Sequence, residues 1–258
     1  MKKEEFFIYG KHAVFSALKN EDRKIDEVIC VEDNSELIKS IQIIINNKNK
    51  KTKLKHVNIK TLENKIKRDV KHQGVIAKAH RLDIRNYAHI FDKKRSIKKN
   101  VTYGVILDRL TDPNNIGAIY RSAKAFGVNF IVNTSRHSII ENGTILNSAC
   151  GAFETIQTFV ANNISSAIKN FISEGWWVIG LDHEATSNIH TIIKKMEPKD
   201  KIVFVFGSEG KGIRRLIKKN CNFIAGIPNV PNTHSINVSN AAAIVFYEIF
   251  KMSNTSLN

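Results

Sequence analysis

The residues best suited to chemistry fall in three places. Gly207, Gly210 and Gly212 follow an unbroken apolar run over 202–206. Glycine permits positive φ and lets a ligand come close to the backbone. A second apolar run, 223–227, stops at Pro228 and gives way to a polar loop over 229–235. Upstream, Asn114, Gly117, Ala118 and Arg121 recur at three- and four-residue spacing, so on a helix they fall near one face. Two buried strands that end in loops of glycine or proline describe one ligand site at the C-terminal edge of a sheet. The glycine spacing is GxxGxG, which is neither a Walker loop nor the dinucleotide GxGxxG. We find no acidic residue at the end of a neighbouring strand to hold a ribose. Nucleotide hydrolysis and hydride transfer are therefore weak readings. Taken alone, the glycines fit best a plain turn joining strand to helix.

The elements around these residues alternate. Runs 105–107, 130–132, 176–181 and 202–206 read as strands, and 202–206 is an unbroken apolar run long enough to be buried on both faces. Helices are expected from Asp112-Pro113 to residue 125 or 126, over 141–150, over 163–174 and after 235. Strand–helix alternation predicts a parallel sheet covered on both faces. Before it, strands at 6–10, 27–31, 55–59 and 73–79 alternate with helices at 12–18, 34–45 and 61–68, a small αβα unit without a glycine-rich phosphate loop. Residues 81–100 are polar and basic and read as a linker with a short helix at 87–91. The expected organisation is thus 1–80, linker 81–100, and 101–258.

The formal net charge of the 258 residues is +16. Such an excess argues for a polyanionic partner, because Lys and Arg displace counterions from phosphates. A compositional bias toward Lys, Asn and Ile explains it equally well. The three cysteines, Cys30, Cys150 and Cys221, are far apart and suggest buried free thiols in a reducing cytosol. The histidines show no ligand clustering, so no metal is expected. No apolar window reaches membrane-spanning length, and the expectation is a soluble cytoplasmic protein.

Three segments in one domain, NNIGAIYRSAKAFG, FGSEGKG and IPNVPNTHSINVSNAAAI, resemble the signature motifs of the SpoU/TrmH family of RNA ribose 2′-O-methyltransferases, in the SPOUT superfamily. IYGKHAVFSAL and HQGVIAKA resemble the substrate-binding domain of the bacterial 23S rRNA guanosine-2′-O-methyltransferase branch. The resemblance implies an α/β fold with a trefoil knot in the C-terminal domain and an N-terminal RNA-binding domain. It also implies S-adenosylmethionine as cofactor, an RNA substrate and a homodimer. 23S rRNA is favoured as the RNA, with tRNA as the alternative within the class and a non-catalytic ribosome-assembly factor as the alternative outside it.

On the matching positions the resemblance implies cofactor contacts at Gly207, Ile227 and Ile236. Core packing is the plainer explanation of both isoleucines. Arg121 matches the catalytic arginine of the family. Arginine stays protonated in proteins, so a role on the target phosphate and the incipient alkoxide suits it better than that of a base. Asn115 would orient Arg121 or the ribose, or cap its helix. Glu209 would hold the loop or position Arg121. Ser235 and Asn237 combine active-site and capping roles. Asn229, Pro231 and Ile236 depart from the usual family residues, and Pro231 is expected to stiffen the loop. Arg109 stands where a small or polar residue is usual and offers a further phosphate contact.

Overall fold

The computed structural model describes residues 5–47, 51–66, 70–92, 103–135, 141–197, 199–210, 212–230, 233 and 235–254. It divides into two compact units: Met1–Asp83 with Glu141–Thr155, and Ile84–Ile140 with Ile156–Asn258.

The first unit contains β1 (Glu5–Tyr9), α1 (Lys11–Lys19), β2 (Ile25–Val31), α2 (Ser35–Asn47), β3 (Lys53–Val57), α3 (Ile59–Glu63) and β4 (Val75–His80). The sheet order is β1-β4-β2-β3, with β4 antiparallel to both neighbours and β2 parallel to β3. Leu37, Ile41 and Ile45 form the buried stripe of α2, and the Asn34 side chain accepts from the Leu37 N–H to start it. The third strand ends at Val57 rather than 59, and its helix starts at Ile59 rather than 61. The reason is Asn58, whose side chain accepts from the Thr61 N–H and caps the helix at once.

The second unit begins with β5 (Arg85–Asn86) and continues through β6 (Tyr103–Leu107), α4 (Pro113–Ala125) and β7 (Phe130–Thr134). The next helix, α5 (Gly143–Ser148), lies in the first unit. Then come β8 (Gln157–Ala161), α6 (Ile164–Ser173), β9 (Trp176–Leu181), α7 (Ile189–Ile193), β10 (Lys201–Phe206), α8 (Arg215–Asn220), β11 (Phe223–Ala225) and α9 (Val238–Asn254). The strand order is β11-β9-β10-β6-β7-β8-β5, and each pairing is parallel. Phe206 is in register with both Leu107 and Leu181, so these strands end together at one edge. Phe130 stacks on Phe171 at 5.8 Å, and Trp176 meets both edge-on in the core.

Two expectations change. From residue 84 the stretch taken as a linker is part of the second unit: Arg85 and Asn86 pair with β8, and Tyr87–Phe91 forms a 3-10 turn whose Phe91 ring centroid lies 5.0 Å from that of Phe171. The basic run at 95–100 lies outside the described residues. The segment Glu141–Thr155, expected within the second domain, packs with the first unit. Arg23, 2% exposed, binds there to two buried carboxylates. It donates to Glu141, to Glu154 Oε1 at 2.7 Å from Nη2, and to the His80 carbonyl at 2.9 Å. Glu141 also accepts from the Leu82 N–H, and Glu154 from Asn20. Burial pushes the Glu141 carboxyl up, while the Arg23 charge pulls it down.

Candidate active site

At the C-terminal edge of the second sheet, β9, β10 and β11 end around a cavity of about 230 Å³ that the start of α9 closes. Backbone crowding shapes it. A Cβ on Gly207 would lie 2.1 Å from the carbonyl carbon and oxygen of Gly212. Only glycine lets the turn fold back there, and the Gly212 N–H closes it on the Ser208 carbonyl at 2.9 Å. Gly226 is held on both sides by the loop after β9. It donates to the Ser187 carbonyl at 2.8 Å and accepts from the Ile189 N–H at 2.9 Å. A side chain on it would meet the carbonyls of Asp182 and Ala185 at 3.2 Å. Ile227 and Ile236, both half-buried, line the cavity with Leu181 and Ala225. Pro231, expected to stiffen the neighbouring loop, lies outside the described residues.

The polar residues come from separate elements. Asn115, on the first turn of α4, donates from Nδ2 to Glu209 Oε1 at 3.1 Å. The cap of α4 is Asp112, which accepts from the Asn114 N–H, so Asn115 is not the capping residue. Its partner is Glu209 rather than Arg121. Asn237 Oδ1 accepts from the N–H of Ser239 at 2.9 Å and from its hydroxyl, and so caps α9 while lining the cavity. Ser235 lies exposed at the same rim. The cavity thus gathers Gly207, Glu209, Ile227, Ser235, Ile236 and Asn237, and Asn115 joins it through Glu209. Arg121 is exposed on α4 and is not among the lining residues.

One lining residue overturns an expectation. Asp182 directly follows β9, the neighbour of β10, and is 6% exposed. It is the acidic residue at a strand end that sequence reading did not find. Its carboxylate pairs with Lys218 of α8. The signal was its place immediately after an apolar run. The first unit also holds a cluster the sequence did not suggest: ligand atoms of Glu5, Asp26 and His80 lie within 4.8 Å of one another. Lys78 binds Glu5 at 2.7 Å and holds its carboxyl below the ordinary range, and Lys24 stands 3.5 Å from Asp26. The carboxylates are therefore already paired with ammonium groups.

The cavity suits a cationic nucleoside. Its apolar walls can hold a flat ring, its exposed strand-end backbone can meet a ring edge, and Glu209 places a carboxylate at the rim. A side chain at 207 would collide with the Gly212 backbone and disturb the turn that forms one wall. These features fit S-adenosylmethionine.

Comparison with known proteins agrees. The SpoU rRNA methylase family profile matches residues 103–247, and the profile for RNA 2′-O ribose methyltransferase substrate binding matches residues 7–84. A Coxiella burnetii protein named 23S rRNA (guanosine-2′-O-)-methyltransferase RlmB is 32% identical over 244 residues, 94% of each chain. The Bacillus subtilis protein YacO, a putative TrmH family tRNA/rRNA methyltransferase, is 30% identical over 256 residues, 98% of each chain. The fold is similar to that of the SpoU methyltransferase AviRb from Streptomyces viridochromogenes, crystallised with AdoMet. The TM-score is 0.78 at 17% identity, over 97% of this chain and 91% of that one.

Proposed function

The chain belongs to the SpoU rRNA methylase family, and from that premise we propose that it methylates the ribose 2′-hydroxyl of a guanosine in 23S rRNA. The observation that carries the reading is the Asn115–Glu209 hydrogen bond. It ties the first family motif to the second at the rim of a cavity whose far wall is the third.

S-adenosylmethionine, when bound, supplies an electrophilic methyl group on a sulfonium. The protein must then orient the 2′-oxygen, remove its proton and stabilise the charge that develops. Gly207 keeps the cradle open, and Ile227 and Ile236 flank the ring. Asn115 fixes Glu209 on the rim. Ser235 and Asn237 present polar atoms to the ribose side, with Asn237 held still by capping α9. Arg121 binds the target phosphate and the incipient alkoxide, and the proton leaves to phosphate or water. Arg121 lies outside the cavity of its own chain, which supports a site completed by a second copy. α9 supports this: Ile244, Tyr247 and Phe250 are exposed on it at three-residue intervals, an apolar face suited to a homodimer. Gly226, enclosed by the 182–188 loop, supports the knotted threading. An rRNA substrate supports a cytoplasmic setting; among the described residues no helix is long and apolar enough to cross a membrane.

The test is calorimetry with S-adenosylmethionine, then methyl incorporation into unmodified 23S rRNA fragments and tRNA transcripts. Binding followed by labelling of the rRNA is expected. Labelling of tRNA alone would reassign the substrate, and absence of cofactor binding would remove the enzyme reading. Arg121→Ala should lower turnover by about 10²–10³-fold, the usual loss when a charge-stabilising donor goes. Arg121→Lys should keep measurable activity. Complete loss in Arg121→Lys with intact RNA binding would count against a simple charge role.

A further inference from the structure

The second unit holds another cavity, of about 310 Å³, at the C-terminal ends of β6, β7 and β8. Its polar lining comes from Arg109 after β6, Thr134 at the end of β7, Asn162 after β8 and Arg214 before α8. Three observations set it apart. Arg109 has φ +62, a left-handed backbone that disfavours any residue with a Cβ. No ion-pair partner of Arg109 occurs among the described residues. Thr134 is 6% exposed, and its hydroxyl oxygen is buried without a hydrogen-bond partner.

Arg214 is prepared differently. Its Nε and Nη2 grip the buried Asp108 carboxylate at 2.8 and 2.6 Å. That fork uses one edge of the guanidinium, and Nη1 is left uncommitted. Asp108 is neutralised in the same contact, so Arg109 is the unbalanced charge of the cavity. Asn162 accepts from the Ser135 hydroxyl at 2.7 Å through Oδ1, which leaves its Nδ2 donor group available. The lining therefore offers guanidinium and amide donors around one space, a donor set that suits oxyanions of phosphorus.

We infer that this cavity is a subsite for a backbone phosphate of the RNA substrate, with Arg109 as its principal cation and Arg214 Nη1 and the Asn162 amide as further donors. The inference rests on the RNA-methyltransferase reading and adds to it where the chain grips the polyanion. It also accounts for a strained arginine at a position where glycine would fit without strain.

The experiment uses the full chain with an unmodified 23S rRNA transcript, titrated over a range of potassium chloride concentrations. In Arg109→Gly the backbone relaxes and the cation is lost. RNA affinity should fall about tenfold, and the log–log salt slope should become shallower by roughly 0.7–0.9, the value of one phosphate contact. S-adenosylmethionine affinity should not change, and the melting temperature should hold or rise. Arg109→Lys should recover part of the affinity. Wild-type slope and affinity in Arg109→Gly overturn the subsite, and so does a lowered melting temperature in that variant, which would make Arg109 a packing residue. If the wild-type protein methylates RNA and the variant slope is unchanged, the subsite alone fails. If the wild-type protein binds no RNA at any salt, the subsite and the substrate reading fail together.

Discussion

Arg23 in the first unit and Arg109 in the second are held in opposite ways. In the first, Arg23 is buried, and its hydrogen bonds are closed inward by Glu141, Glu154 and the His80 carbonyl. In the second, the sheet edge leaves Arg109, Arg121 and Glu209 exposed, and the Thr134 hydroxyl is buried without a partner. A satisfied charge network fixes a shape and offers little to a ligand. Open donors and a strained arginine cost stability, and a bound molecule can offset that cost. The comparison separates residues that hold the first unit together from residues that await a substrate in the second.

The sharpest way to break that contrast is Arg23→Met. Two buried carboxylates would lose their cation, and the loss should be about 3–5 kcal/mol, the usual cost of stranding a buried charge. Thiols make the effect local. Burial pushes Cys30, in the first unit, up to about 11 and Cys221, in the second, up to about 12, so both resist alkylation near pH 8. In Arg23→Met, Cys30 should become reactive while Cys221 stays protected. Equal exposure of both would show that the units do not fail separately. Gly207→Ala should act on the other side. The new methyl meets Gly212 backbone, and about 1–3 kcal/mol of overpacking should appear as weaker S-adenosylmethionine binding, with Cys30 protection unchanged. Normal cofactor affinity in that variant would remove Gly207 from the site. The smallest change is Asn115→Ala, which deletes the single hydrogen bond to Glu209. A loss of about 1 kcal/mol, roughly fivefold in kcat/KM, is expected with melting temperature unaltered. Asn115→Asp, which places a carboxylate against a carboxylate, should be worse than Ala.

Local signals in the sequence carried much of the second unit. The apolar run at 202–206 lies within β10, and Asp112-Pro113 marked the start of α4. The short helix expected at 87–91 is present as a 3-10 turn. β8 was not, because Gln157–Ala161 is short and half its pattern is polar or partly exposed. Nothing local distinguishes Arg23 from a surface arginine, since its carboxylates lie more than a hundred residues away. The same distance hid the membership of Glu141–Thr155 in the first unit. Among candidate site residues, those on the glycine and proline loops were readable because their conformations are unusual. Asp182 was missed because its strand was not read together with its neighbour in the sheet. The Asn115–Glu209 pairing depends on the fold bringing two loops together, which spacing along one helix cannot reveal.

The discontinuous make-up of the first unit has a consequence for biosynthesis. When the ribosome has released residues up to Asp83, Arg23 has emerged but Glu141 and Glu154 have not yet been translated. At about 5–20 residues per second the interval lasts on the order of several seconds. During that time the nascent chain carries an uncompensated guanidinium at the centre of its future core. Completion of the earliest-made unit must therefore wait for a peptide made in the middle of the later one, so maturation does not follow the order of elongation.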